Sequence, residues 1–165
     1  MKQSFNSVPG RRARPLLAFL ALLALAACKS GPPPSIEEVI TARIGEVETA
    51  AREHQLKEIK AVVSDRYADD KRNSKKEINQ LLTYYFFRNK AIYPFVRVQS
   101  VVSENPERAS AELLVALTGT PVAQAEDLSG LNADLFHFVL EFSLEDDEWM
   151  VTGATWRRAE LGDFL

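Results

Sequence analysis

The sequence predicts an α+β domain in which about three N-terminal helices pack on a curved antiparallel sheet of four or more strands. Three observations carry this. Capping-box spacings occur at Ser35/Glu38 and Ser74/Glu77. The apolar residues of the first half recur at helical spacing, and after residue 93 the chain changes to long runs of Val, Leu, Phe and Trp broken by acidic turns. Helices first and meandering strands after place the helices on one face of an antiparallel sheet.

Residues 1–27 precede that domain and read as a signal peptide. Lys2, Arg11, Arg12 and Arg14 lie in a stretch without Asp or Glu, followed by an apolar run from Leu16 to Ala27. A run of this length is a signal-peptide core and falls short of the roughly twenty residues that span a bilayer. Its end, Leu25-Ala26-Ala27-Cys28, resembles the bacterial lipobox. The resemblance implies a diacylglyceryl thioether on Cys28, cleavage before it and acylation of the new amino terminus. Several acyl chains anchor far more firmly than one, because each buried methylene contributes about 0.8 kcal/mol. Lys29 is not the Asp that retains such proteins in the inner membrane, so the resemblance implies an outer-membrane anchor facing the periplasm. Cys28 is the only cysteine, which excludes an intramolecular disulfide, a redox pair or a zinc knuckle.

Cleavage removes four of the 20 basic residues and none of the 23 acidic ones, leaving 16 against 23 and a net charge of −7. Affinity for phosphate backbones needs a basic surface, so no nucleic-acid partner is expected.

Residues 28–34 form the lipidated cysteine and a Pro-rich spacer, and residues 35–165 form the domain. Ile36, Val39, Ile40, Ile44, Val47 and Ala51 give an amphipathic helix to about residue 53. Leu56, Ile59, Val62 and Val63 continue it or make a second, with the break at His54 and Gln55. The polar stretch 64–73 is a loop with room for a short hairpin. Ile78, Leu81, Leu82 and Tyr85 give a third helix to about Asn89. Within it, Tyr84-Tyr85-Phe86-Phe87 spans about 300° of helix surface, so that end is expected to be enclosed on most sides.

Four strands are expected at Tyr93–Ser103, Arg108–Thr118, Asp134–Leu144 and Trp149–Arg158. Ala109, Ala111, Leu113, Val115 and Leu117 share one face of the second strand. Phe136, Phe138, Leu140, Phe142 and Leu144 share one face of the third, with Leu135, His137, Val139, Glu141 and Ser143 opposite. Gly153 inside the fourth strand marks a bulge or bend.

This order of elements, with the segments VVSDRYADD, LLTYYFFRN and FHFVLEFSLEDDEWMVTGATWRRAE, resembles the nuclear-transport-factor-2-like superfamily, which includes ketosteroid-isomerase-like and SnoaL-like proteins. The resemblance covers about residues 36–158 and implies a cone with a cavity at its open end. Tyr67, Tyr84, Tyr85, Phe87, Phe136, Phe138 and Trp156 are the candidate lining residues.

An isomerase-like mechanism needs a carboxylate base in an apolar cavity and donors for an enolate. Asp65, Tyr67, Tyr84, Tyr85 and Asp134 are the candidates, and none falls in a motif that maps onto that chemistry. Asp65 is expected to cap a turn, the tyrosines to sit in the core with their hydroxyls at an edge, and Asp134 to begin a strand. His54 and His137 lack neighbours at metal-ligand spacing, and Glu145-Asp146-Asp147-Glu148 lacks the alternating oxygens of a calcium loop. No catalytic residue, metal or cofactor is assigned.

Three functional classes follow. The favoured one is a non-enzymatic envelope lipoprotein whose cone binds a small apolar ligand or a protein partner. The second is a SnoaL-like or isomerase-like enzyme acting on an apolar substrate. The third is an assembly module that forms a homodimer through the outer sheet face, at Leu135 and Val139.

Overall fold

The computed structural model describes residues 32–165. The signal peptide, the lipobox and Cys28 lie outside the described residues.

Helix α1 (Ile36–Arg52) begins at Ser35, whose hydroxyl accepts from the Glu38 amide while the Glu38 carboxylate accepts from the Ser35 amide. This reciprocal cap satisfies two of the helix's free N–H groups, and a cap of this kind is worth about 1 kcal/mol. The helix ends where His54 turns left-handed at φ 59°. Helix α2 (Leu56–Ala61) follows at once, and α3 (Lys75–Arg88) is capped by Ser74 and Glu77 in the same way as α1. Between α2 and α3, Ala68 and Ser74 form one antiparallel bridge, the short hairpin for which the polar loop had room. Asp69 organises it by accepting from the Lys71 and Asn73 amides at 2.9 and 2.8 Å. Asp65 does not cap this turn as expected. It is exposed and pairs with Lys75 at 2.7 Å, while Asp69 takes the Lys71 and Asn73 amides of the turn.

Strands β1 (Tyr93–Asn105), β2 (Arg108–Thr118), β3 (Asp134–Glu145) and β4 (Glu148–Arg158) pair antiparallel in the order β1-β2-β3-β4. Asp146 and Asp147 close the β3–β4 hairpin with φ of 47° and 66°. Two left-handed residues make the turn whose twist matches paired strands, and Asp tolerates that conformation. One register shift falls on Thr152, between the pairs Glu141↔Gly153 and Phe142↔Val151. Here the chain from Val62 to Ala68 crosses the β4 edge: Ser64 N–H donates to Val151 O and Ala68 N–H to Thr152 O. The edge that would otherwise be open to another strand is thereby covered.

The concave face divides into two halves. At the hairpin end, Ile40 and Ile44 of α1 pack on Ala109, Ala111, Leu113, Phe142 and Trp149. The small alanines allow the helix to approach closely. At the other end α1 keeps to the β1 side, where Arg52 donates to the Pro94 carbonyl, and Val115, Leu117, Phe136, Phe138 and Trp156 face a space roofed by α3.

The outer face is partly covered by the chain itself. Leu114 and Ala116, with Phe95 and Leu135 beside them, lie beneath Leu128 of the 3-10 turn Ala125–Leu128 and beneath Phe164, which is fully buried. The Arg97 guanidinium donates to the Phe164 carbonyl and fixes this strap. Leu135 is thus occupied within the chain. The apolar surface offered to a second copy is smaller than the strand alternation implied, with half-buried Val139 outside this cluster.

Candidate functional site

The space between sheet and helices is a cavity of about 480 Å³. Its floor is the concave face of β2, β3 and β4. Ile44, Val47 and Ala51 of α1 form one wall, Ile59, Val62 and Val63 another, and Ile78, Leu82, Tyr85 and Phe86 of α3 the roof. The floor follows from strand alternation: Val115 pairs with Phe136, Leu113 with Phe138, and Phe138 with Trp156, so every second residue points inward. The roof follows from the i, i+4, i+7, i+8 spacing of Ile78, Leu82, Tyr85 and Phe86.

Six of the seven candidate residues meet here. Tyr67, Tyr84, Tyr85, Phe136, Phe138 and Trp156 all line the cavity. Phe87 does not; it is 86% exposed on the far side of α3. The expectation that this end is enclosed on most sides is not met. No residue of α3 is fully buried, since the helix covers the cavity from one side and nothing among the described residues covers its back. Leu81 and Tyr84 are 50% and 59% exposed while still lining the cavity, and so they mark its mouth.

Of the 28 lining residues only Arg43 and Glu48 carry charge. Arg43 pairs with Glu46 at 3.0 Å and Glu148 at 3.6 Å, and Glu48 is held by Arg52 at 2.7 Å. The three lining phenols have partners too, with the Tyr84 hydroxyl accepting from Arg88. Tyr67 donates to Asp69 Oδ2 at 3.3 Å, and burial, followed by the Asp69 charge, pushes its phenol above the ordinary value. Tyr85 donates to Asp134 Oδ2 at 3.4 Å; burial first, then the Asp134 charge, raises it to about 12 against a partial offset from Arg158. Both phenols are therefore protonated donors already in use at neutral pH.

The two carboxylates are committed as well. Although burial opposes it, hydrogen bonds from Asn73, the Lys71 amide and Tyr67 hold Asp69 below the usual carboxylate range. Asp134 binds Arg158 at 2.6 Å at the start of β3, where the sequence placed it. A general base must reach its proton with a free lone pair, and no carboxylate among the described residues faces the apolar space in that state. His137 is on the outer face, 2.6 Å from Glu112 and opposite Arg157 in the β3–β4 register, while the His54 and Phe86 rings meet tilted, 5.0 Å apart. No group of three or more potential metal ligands occurs among the described residues.

What the sequence did not offer was the three cations that stand on aromatic rings of this wall. Lys71 stands over Trp156, Arg158 over Phe136 and Arg88 over Tyr84. Lys71 lies in a loop without period and meets β4 only in three dimensions. Only the Tyr84/Arg88 pair, four residues apart on one helix, had a local signal.

No protein-family model and no curated protein sequence matches this chain. Solved structures do. A Shewanella oneidensis NTF-2 like protein of unknown function superposes with a TM-score of 0.53 at 13% identity, over 71% of this chain and 94% of that one. A ketosteroid isomerase-like protein from Erwinia carotovora atroseptica gives 0.54 at 12% identity, over 74% and 95%. The fold is nuclear-transport-factor-2-like. Bd1075 of Bdellovibrio bacteriovorus gives a TM-score of 0.59 at 7% identity over 73% of this chain, which spans only 40% of that longer one. At these identities the likeness is one of architecture, and the nuclear-transport-factor-2-like fold hosts both enzymes and binding modules. The chemistry must be argued from the residues that line the cone.

Proposed function

We propose that this domain binds a small apolar ligand in its cone without transforming it, and that a lipid on Cys28 carries it at the outer membrane, facing the periplasm. The observation that supports the binding reading most is the composition of the cavity wall: two charges in 28 residues, both paired, and the Tyr67 and Tyr85 phenols already bonded to carboxylates. The volume falls in the range of about 300–1,000 Å³ typical of small-molecule sites. The cavity opens to solvent beside Leu81 and Tyr84, and water gains little against its apolar wall, because an ordered water needs several polar partners. An apolar guest relieves that cost.

The isomerase-like alternative has one observation in its favour, the Tyr85–Asp134 pair at the edge of the cavity. Arg158 and Tyr85 occupy that carboxylate, which leaves it without the role the reaction needs. A protein partner or a homodimer would use the outside of the cone rather than its interior.

Native mass spectrometry of the full chain extracted from membranes tests the binding reading. A retained small-molecule mass is expected, and bare polypeptide in every preparation would overturn the reading. For the anchor, Cys28→Ser is expected to abolish both processing and lipid attachment; unchanged membrane extraction of the variant would refute it.

A further inference from the structure

We infer that the cavity's ligand is an anionic single-chain amphiphile, with its acyl chain among Phe136, Phe138 and Trp156 and its carboxylate or phosphate head on the cations Lys71, Arg88 and Arg158. This rests on the reading of the cavity as an apolar binding site and specifies what binds there.

Residues 35–165 hold 15 basic and 23 acidic residues, a net charge of −8. Within this acidic domain, three cations stand on rings that themselves line the cavity. Lys71 Nζ is 3.6 Å from the centroid of the Trp156 ring and also donates to the Trp156 carbonyl at 3.3 Å. The Arg158 guanidinium is 4.7 Å from the Phe136 centroid. Arg88 is 5.6 Å from the Tyr84 centroid and donates to the Tyr84 hydroxyl at 3.0 Å.

A cation over an aromatic face keeps its long side chain along the apolar surface and its charge at the water boundary. Repeated at three rings of the wall, this sets positive charge beside an apolar interior. Lys71 and Arg88 have no ion-pair partner among the described residues. Their charges are available to an incoming anion, whereas Arg158 shares its charge with Asp134 at 2.6 Å.

Three acidic groups near the cavity are already held, Glu48 by Arg52, Asp134 by Arg158 and Asp69 by its turn, which leaves Asp70, whose charge also acts on Tyr67, beside Lys71. A wholly neutral hydrocarbon has no use for the cations, and a cationic ligand would be repelled by them. An acyl chain ending in an anion uses both parts of the site. Leu81 and Tyr84, half-exposed at the mouth, give such a chain an apolar path inward.

The test uses the full chain in phosphatidylcholine nanodiscs and three probes with the same twelve-carbon chain and a terminal diazirine: the carboxylic acid, the monoacyl glycerophosphate and the alcohol. Photolabelling of β3 and β4 peptides is followed against probe concentration. At least one anionic probe is expected to label these peptides at about tenfold lower concentration than the alcohol, since a charged hydrogen bond contributes about that factor. Which anion leads distinguishes a free fatty acid from a lysolipid. In the double variant Lys71→Gln/Arg88→Gln the advantage is expected to vanish while the alcohol still labels, which shows that the cone remains folded. Equal labelling by acid, phosphate and alcohol in the native chain, or an advantage that survives the double substitution, overturns the inference and leaves apolar binding standing. If no probe labels the cavity wall, the inference and the underlying binding reading both fall.

Discussion

Gly153 lies against the carbonyl oxygen of Ala68: a Cβ built on it would stand 3.2 Å from that oxygen and 2.7 Å from Glu141 Oε2. Here the chain leading from the helices crosses the last strand, and the contact holds one wall of the cone to its floor. Gly153→Ala must displace main chain as well as the flexible Glu141 side chain, so a loss of about 1–3 kcal/mol is expected, in the range of overpacking. Urea denaturation measures it; a variant as stable as the native protein would show that Ala68 moves away without cost.

The same crossing gives the domain an acid-sensitive tie. Glu145 accepts from Arg66 at 2.7 Å and from the Ser64 hydroxyl at 2.9 Å. The Arg66 hydrogen bond, opposed by desolvation and joined by Ser64, holds the carboxylate below its ordinary 4.5. A depressed folded value contributes stability that is present above about pH 4.5 and is lost as pH falls through the folded value. Glu145→Gln is expected to be less stable than the native chain at pH 7, with the two converging in strong acid. A constant difference across that range would rule out this linkage.

At the alkaline end the sign reverses. Tyr85 is raised from 10 to about 12, so the folded state disfavours the phenolate. Stability is kept below pH 10 and lost as pH rises toward 12. Tyr85→Phe is expected to remove one ionisation near pH 12 from the ultraviolet titration and to flatten part of the alkaline decline. An unchanged titration would mean that Tyr85 is not held as the structure places it.

Phe87 and Phe138 provide a contrast between two residues read as equivalent candidates. Phe138→Ala removes a ring from the cavity floor, and a buried aromatic truncation costs about 3–5 kcal/mol. Because Phe138 already borders open space and is only partly buried, the lower end is expected. Phe87→Ala, on an exposed surface, is expected within about 0.5 kcal/mol of the native chain. Thermal unfolding of the two variants decides it.

That contrast shows what the sequence could and could not convey. Strand faces were legible because alternation has a period of two and needs no partner to be seen; Val115, Phe136, Phe138 and Trp156 all face inward. Both helix caps were legible because Ser and Glu satisfy free amides within three residues of each other. The enclosure around Tyr84 to Phe87 was not. Four aromatic rings in a row cover most of a helix's circumference, but how many sides are covered depends on packing, and here only one is. Contacts between distant segments left no local trace either: Val63 beside Val151, Phe164 under the outer sheet face, and Lys71 over Trp156 each join segments far apart in the chain. The competition between Asp65 and Asp69 for the turn was likewise decided by which carboxylate could reach the amides of Lys71 and Asn73.

Tryptophan fluorescence reports whether the cone accepts an apolar guest. The chain has two tryptophans, Trp149 in the core cluster at the hairpin end and Trp156 in the cavity wall. Brominated dodecane added to the full chain in phosphatidylcholine nanodiscs is expected to quench Trp156 saturably, at one guest per chain, and Trp156→Phe is expected to abolish that quenching while leaving the Trp149 emission. Absence of saturable quenching in the native chain would mean that the cone admits no apolar guest.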